Sequence, residues 1–451
     1  MAMGKRKRER QASLGISSSD LPRSAGHPFY QTLNKQLNAG GFETFVEAAC
    51  QKFYADQLGR PSLAPSVYFR MLLVGYFEGI DSERGIAWRC SDSLALRDFL
   101  GLELSESAPD HSTISRTRRL LDSEVHAEVF AFVLRLLSNS GLVDGKRIGV
   151  DATTLEANAA MKSLVRRDTG QAYEDFLKDL AESAGEEAPT KQDLARMDRK
   201  RPKKGSNADW VNPHDPDAQV TKLKDGRTHL AHKAEHAVDL DSGAIVGCTV
   251  QPGAAGDTTT IHETIFEAVS NLASIGKHAE PEGCTTREWV ADKGYHSNGT
   301  LLAIQDLKAR SYISEPNRGR RRWAGKEAEK EAVYGNRRRM KGQHGRALYK
   351  KRSELTERSF AHCLDTGGMR RVHLRGRENI EKRYLLHAAA FNLGILMRSK
   401  LGVGTPRGLQ GTLRTASAVL SRFIERAILI FRAYRGAVPK ITDQYSPQVA
   451  A

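Results

Sequence analysis

Cysteine is scarce in this chain of 451 residues, which has five of them. They are Cys50, Cys90, Cys248, Cys284 and Cys363. None are paired at the spacing of metal ligands, and their number is odd. This pattern argues against a disulfide framework and against a structural zinc site. We expect reduced, buried thiols.

Long apolar runs are also missing. The longest, from Leu385 to Met397, is interrupted by His387 and Asn392 and is shorter than the ~20 residues that cross a bilayer. The N-terminal segment MAMGKRKRERQASLG is basic but has no apolar region, so it does not have the pattern of a secretory signal. We therefore predict a cytoplasmic protein without membrane contact.

Basic residues, in contrast, are in excess. The chain has 69 Lys and Arg against 54 Asp and Glu, a net charge of +15. The segment from Pro316 to Arg352 alone has 14 Lys or Arg and three Glu. Such a concentration favours a polyanionic partner, although a basic protein without one is the simpler alternative.

Hydrophobic periodicity divides the chain into four regions. Residues 1–25 predict a flexible basic arm, and residues 26–140 show the three- and four-residue spacing of helices. Residues 141–400 alternate strand and helix patterns, which predicts an α/β domain with a mixed sheet and a polar insertion at about 158–227. Residues 401–451 predict a helical tail, with a helix at about 412–434.

One helix in the N-terminal region has the pattern of a DNA-reading helix. Asp110 or Ser112 is positioned to cap it, and arginines follow in its later turns. Polar residues at the start of a capped helix suit a groove-reading role, and an ordinary amphipathic helix is the alternative. The predicted DNA contacts here are Arg116, Arg118 and Arg119.

Two carboxylates carry the predicted chemistry. Asp151 and Asp292 each end a short apolar run that we interpret as a buried strand. Two carboxylates on neighbouring strands repel each other unless a cation compensates them, and hard oxygen ligands favour Mg²⁺ or Mn²⁺. The simpler alternative for each aspartate is a helix cap or a loop hydrogen bond.

A third carboxylate on a later helix would complete a site for two ions, as in phosphodiester cleavage. Glu354 and Glu357 share one face of a predicted helix, so spacing leaves both open. Asp239, Asp241 and Asp257 have no explanation in this scheme and remain competing ligands.

Several segments, taken in order, resemble the DDE transposases of bacterial insertion sequences. The segment at 149–158 resembles the first-aspartate segment, and Ala291-Asp-Lys-Gly-Tyr-His-Ser297 the second. Tyr349-x2-Arg352-x4-Glu357-x2-Phe360 resembles the glutamate helix. Further matching segments lie at 82–102, 109–116, 232–239, 373–376 and 392–393.

The resemblance implies an all-α N-terminal DNA-binding domain before an RNase H-like mixed-sheet catalytic core. It implies that Asp151, Asp292 and Glu357 form the catalytic, metal-binding triad, with Glu357 chosen over Glu354. It also implies that Tyr349 and Arg352 contact DNA near the cleaved end, and that Lys233 and Lys293 are candidates for a phosphate contact.

The basic segment before Glu357 is positioned to follow DNA to the active site, because phosphate contacts supply affinity. Trp323 lies among arginines and is a candidate for stacking on a base, although a packed tryptophan is equally compatible with the pattern. The predicted DNA contacts of this segment are Arg320, Arg321, Arg322 and Trp323.

The resulting hypothesis is a transposase that uses two Mg²⁺ or Mn²⁺ ions. It would bind terminal inverted repeats, cleave the element ends and join the 3′-OH to target DNA by transesterification. Holding two ends implies a homodimer or larger assembly on DNA, at the bacterial nucleoid. The alternatives are an RNase H-like nuclease or resolvase without strand transfer, and an inactive transposase-derived DNA-binding protein.

Overall fold

The computed structural model describes residues 3–4, 27–55, 62–103, 105–185, 189–200, 206–222, 226–276 and 286–409. Most of the predicted basic arm, the predicted helix at 412–434 and Cys284 lie outside these ranges. The described residues up to Gly404 belong to one compact unit, and those from Thr405 belong to a second. The four described cysteines are free and buried, as predicted.

The N-terminal region is helical, as its periodicity predicts. Its helices are α1 (Pro28–Ala39), α2 (Phe42–Cys50), α3 (Pro65–Glu78), α4 (Glu83–Asp92), α5 (Leu94–Leu100), α6 (His111–Leu120) and α7 (Ser123–Asn139). Ser82 caps α4 by accepting a hydrogen bond from the amide of Gly85. Asp110, rather than Ser112, caps α6 by accepting from the amide of Thr113 at 2.8 Å.

One mixed sheet forms the centre of the α/β region. Its strands are β1 (Arg147–Glu156), β4 (Gln219–Lys222), β5 (Thr228–Asp239), β6 (Ile245–Pro252), β7 (Glu288–Ala291) and β8 (Arg310–Ile313). β5 is antiparallel to β1, and successive parts of β5 pair with β4 and β6. β1, β7 and β8 are parallel neighbours. β5 and β6 thus form the hairpin that Asp241-Ser-Gly243, between two strand-like runs, predicts.

The insertion adds a small sheet and two helices. β2 (Val165–Arg166) pairs with β3 (Trp210–Val211), and α8 (Tyr173–Ser183) and α9 (Lys191–Lys200) lie between them in sequence. β4 also belongs to this segment but joins the main sheet.

Five helices complete the α/β region. They are α10 (Asp257–Ser274), α11 (Asn298–Asp306), α12 (Glu327–Lys341), α13 (Gln343–Ala361) and α14 (Arg377–Leu401). α12 is absent from the sequence prediction, because its dense positive charge conceals the short apolar stripe that it buries. None of the described helices combines the length and apolar character that a bilayer crossing requires.

The prediction that Asp151 ends its strand is wrong. β1 continues to Glu156, and Asp151 lies in its middle. The reason is that β5 is long and pairs with β1 from Ile148 to Glu156, which keeps the backbone extended. Only the pairing of β1 with β7 stops at Val150, one residue before Asp151.

Helix α14 joins the helical region to the sheet. It packs against α3 and α7 on one side and against β6 on the other. Because neighbours surround it, apolar residues occupy every face instead of one stripe. Asn392 is one of the polar residues that this helix buries. Its Oδ1 accepts from the amide of Ile245 at 2.9 Å, and its Nδ2 donates to the carbonyl of Ile245 at 2.8 Å.

We expect Asn392→Leu to lower the free energy of unfolding by about 2–5 kcal/mol. The substitution keeps the branched shape of the side chain but leaves both backbone groups of Ile245 buried without partners, and each such group costs about 1–3 kcal/mol. Urea denaturation followed by circular dichroism measures the change. Ser399→Ala, which loses one bond inside the same helix, should cost under about 1 kcal/mol. Equal effects of the two substitutions would contradict this account.

Candidate active site

Asp151 and Asp292 lie beside each other on neighbouring parallel strands. Val150 of β1 is in register with Ala291 of β7, and each aspartate is the next residue. Neighbouring strands are about 4.8 Å apart, and residues at matching register of parallel strands face the same side of the sheet. The two carboxylates therefore share one face and one edge, as the sequence predicts.

The Asp151 carboxylate is held by three groups. Its Oδ2 accepts from Arg352 Nη1 at 2.8 Å and from Thr356 Oγ1 at 3.2 Å, and its Oδ1 accepts from the amide of Ala152 at 2.9 Å. Burial raises the pKa of Asp151 above its ordinary value, and the charge of Asp292 adds to this effect. Arg352 opposes both by stabilising the ionised form.

Asp292 follows β7 directly and begins a single helical turn, Lys293–Tyr295. Its Oδ1 accepts the amide hydrogen of Gly294, which fixes the orientation of the carboxylate. A Cβ at position 294 would lie 3.1 Å from Asp292 Oδ1 and would overlap Asp257 Oδ2. The turn that carries Asp292 thus needs a glycine for space.

Helix α13 crosses the same face of the sheet. A Cβ at Gly149 would lie 2.8 Å from Arg352 Cγ, so the absence of a side chain there lets the helix approach β1 closely. Arg352 and Thr356 are four residues apart and both reach Asp151. Glu357 is the next residue after Thr356.

The two glutamates that spacing left open differ in their contacts. Glu354 is exposed and forms an ion pair with Arg358 at 2.7 Å. Glu357 is exposed too, and among the described residues it has no hydrogen-bond or ion-pair partner. Glu357 is therefore the carboxylate of this helix that is available to a ligand.

The chemistry of these donors fits a divalent cation. The charge of one carboxylate raises the pKa of the other, and a bound cation would compensate this repulsion. Carboxylate oxygen is also the ligand type that Mg²⁺ and Mn²⁺ prefer. Nevertheless, no three His, Cys, Asp or Glu side chains in the described ranges converge closely enough to hold a metal ion. Arg352 supplies the positive charge at Asp151 in this structure.

The structure places Lys233 away from the face of Asp151. On β5, His236 is in register with Asp151, and Lys233 is in register with Thr154. Because side chains alternate along a strand, Lys233 lies on the opposite face, where it is buried and forms an ion pair with Asp257 at 2.5 Å.

The residues predicted to contact DNA beside the triad differ in exposure. Lys293 is exposed next to Asp292, and Tyr349 is half-buried under the guanidinium of Arg352 at 5.1 Å. Arg352 itself is buried and engaged with Asp151. A direct phosphate contact by Arg352 would require it to leave that carboxylate.

The basic segment forms an ordered surface. Arg320 and Arg322 are exposed. Arg321 donates to Glu315 at 2.9 Å and stacks on Trp323, with 4.6 Å between its guanidinium and the ring centroid. Trp323 is half-buried against Tyr334, which fits both a packed residue and a stacking surface.

Helix α6 presents only two of its three predicted arginines. Arg116 and Arg119 are exposed. Arg118 is buried, and it donates to Glu83 of α4 at 2.9 Å and to Asn379 of α14 at 2.6 Å. Its contacts are those of a residue that joins helices.

Sequence reasoning missed the groups that support the site. Thr356 gives no signal in the sequence. Glu235 and Tyr295 lie inside the resembling segments at 232–239 and 291–297, but the patterns assign them no role. The sequence offers Asp257 only as a competing ligand, and it assigns no role to Glu315. Hydrogen bonding from Arg337 lowers the pKa of Glu315 to about 2.

Two family models match the chain. A transposase domain, DUF772, matches residues 19–120, and a transposase DDE domain matches residues 196–393. No curated protein matches the sequence.

Among solved structures, the chain is similar to the cryo-EM structure of a piggyBac transposase synaptic complex with hairpin DNA. The identity is 10%, the alignment covers 92% of this chain and 87% of that chain, and the TM-score is 0.35.

The first matched region contains most of the helical N-terminal domain, and the second contains most of the sheet with Asp292 and Glu357. A DDE domain implies an RNase H-like fold, and the observed mixed sheet has the arrangement that this fold requires. The chain therefore belongs to the DDE transposases of bacterial insertion sequences.

Proposed function

We propose that this transposase binds the terminal inverted repeats of its element, hydrolyses a phosphodiester at each end and joins the freed 3′-OH to target DNA. The observation that carries the proposal is the matched register of Asp151 and Asp292 beneath helix α13. This arrangement supports Asp151, Asp292 and Glu357 as the triad.

The three carboxylates would hold two Mg²⁺ or Mn²⁺ ions. When bound, such a pair supplies activation of the attacking oxygen and stabilisation of the leaving oxygen. The chain supplies the orientation of the ligands: Thr356 and the amide of Ala152 fix Asp151, and the amide of Gly294 fixes Asp292. The charge of Arg352 favours the ionised form of Asp151 and opposes the effect of burial on its pKa.

DNA binding would use the exposed basic surface. The segment from Pro316 to Arg352 has most of the net charge, and α12 and α13 carry much of it beside the triad. Exposed Lys293, Arg320 and Arg322 are free to reach phosphates, and Trp323 with Arg321 offers a surface for a base. Two element ends held together imply a dimer or larger assembly.

The triad is tested by an in vitro reaction with Mg²⁺ or Mn²⁺ on labelled DNA that has the flanking sequences of this gene. We expect Asp151→Asn, Asp292→Asn and Glu357→Gln each to lower cleavage by at least about 10³-fold. Each substitution removes a carboxylate ligand of the metal ions that would stabilise the charge developing in the transition state. DNA binding, measured by mobility shift, should remain.

Glu354→Gln is the matched control, since this exposed glutamate lies one turn away on the same helix. It should cleave normally. Full cleavage by any triad variant removes that residue from the triad. Cleavage without joined products would identify a nuclease or resolvase, and DNA binding without cleavage in either metal would identify an inactive DNA-binding protein.

Two of the three arginines on α6 are exposed and one is buried. Substituting each of them therefore distinguishes contact with DNA from support of the fold. We expect Arg116→Ala and Arg119→Ala each to weaken DNA binding and to lower the slope of log affinity against log salt by about one, as loss of one phosphate contact does. Fluorescence anisotropy across a salt series measures both quantities.

Arg118→Ala should instead lower the melting temperature, because it leaves Glu83 without its buried partner. A change of salt slope in Arg118→Ala at unchanged stability would contradict the assignment.

A further inference from the structure

A buried polar network lies on the face of the sheet opposite to Asp151. Lys233 Nζ contacts Asp257 Oδ1 at 2.5 Å, Thr260 Oγ1 at 2.8 Å and Glu235 Oε1 at 3.5 Å. Lys233 and Glu235 are both buried. An isolated charge is costly in a buried environment, so the Lys233 ammonium group and the Glu235 carboxylate each require the other as a partner.

The network reaches the turn that carries Asp292 at two points. Tyr295, the last residue of that turn, donates its hydroxyl hydrogen to Glu235 Oε1 at 2.8 Å. Asp257 Oδ2 lies directly against Gly294, in the space that a Cβ would occupy. The amide of Gly294 in turn donates to Asp292.

Both carboxylate oxygens of the buried Glu235 are engaged inside the protein. Its Oε1 accepts from Thr260 and Tyr295, and its Oε2 accepts from Thr264 at 2.5 Å. Lys233 is similarly enclosed, with a side chain that is 6% exposed. A phosphate contact by Lys233 would break an ion pair with two carboxylates.

We propose that Lys233 and Asp257 are positioning residues for Asp292, acting through the turn Lys293–Tyr295. Lys233 holds Asp257 and Glu235 together. Asp257 supports the turn at Gly294, and Glu235 anchors it at Tyr295. The Gly294 amide is thereby held where it orients the Asp292 carboxylate. This proposal rests on the proposed role of Asp292 as a metal ligand, and it replaces the predicted phosphate contact of Lys233.

The proposal explains two residues that the triad does not. Gly294 is required because Asp257 and Asp292 both approach it, and a side chain would push one of them away. Asp257 is a competing carboxylate in sequence, and its contacts make it a support for the turn. Groups that orient metal ligands change metal affinity by about 10–100-fold when they are removed.

The test measures Mn²⁺ binding to the full chain without DNA, by the electron paramagnetic resonance signal of free Mn²⁺. We expect Lys233→Met, Asp257→Asn and Gly294→Ala each to weaken Mn²⁺ binding by about 10–100-fold. DNA affinity in EDTA should stay within about twofold of the unmodified protein, because none of the three residues is proposed to touch DNA.

Thr249→Val is the matched control. Thr249 hydrogen-bonds Thr264 at 2.8 Å between β6 and α10, close to the network but without contact to the turn. It should change the melting temperature without changing Mn²⁺ affinity. Gly294→Ala alters an exposed turn, so it keeps the test decisive if Lys233→Met fails to fold. Asp257→Ala is measured alone and combined with Gly294→Ala. The double variant should bind Mn²⁺ no more weakly than the weaker of these two single variants, since both act through one contact.

Three results overturn the proposal. Weaker DNA binding by Lys233→Met with unchanged Mn²⁺ affinity would make Lys233 a phosphate contact. Unchanged Mn²⁺ affinity in Asp257→Asn and Gly294→Ala, together with weaker Mn²⁺ binding by Asp292→Asn, would reject the positioning role but leave the proposed metal site intact. Unchanged Mn²⁺ affinity in Asp292→Asn would reject the proposed metal site as well.

Discussion

The close packing of helix α13 on strand β1 at Gly149 is the constraint on which the site depends. With no side chain at that position, Arg352 lies against the strand and reaches the next outward-facing residue, Asp151. One further turn brings Thr356 to the same carboxylate. A larger residue at position 149 would lift the helix away from β1, together with Arg352, Thr356 and the glutamate that follows them.

Charge compensation explains why the chain tolerates so many ionised groups around one sheet. Arg352 balances Asp151 on the α13 face, and Lys233 balances Asp257 and Glu235 on the α10 face. A buried charge without its partner costs several kcal/mol, so each face of the sheet needs its own cation. The two faces meet at the turn after β7, where Asp292 leaves the sheet. The exposed arginines are the ones that we propose to bind DNA.

Much of the fold is readable from the sequence, because periodicity and capping act locally. The helical N-terminal region, the cap Asp110, the hairpin of β5 and β6 and the strand before Asp292 are confirmed. The full length of β1 was missed, since it depends on pairing with β5. The burial of Arg118, Arg352 and Lys233 was missed for the same reason: an arginine or lysine has the same letter in a core ion pair as on a surface, and its partner is distant in sequence.

The central claim is that Asp151, Asp292 and Glu357 hold the metal ions together. The most direct measurement loads the protein with Fe²⁺, generates hydroxyl radicals with ascorbate and peroxide, and maps the backbone cuts by mass spectrometry. The account predicts cuts around residues 151, 292 and 357 together, all suppressed by excess Mg²⁺. Cuts that miss residue 357, or that cluster around Asp239 and Asp241 instead, would contradict it.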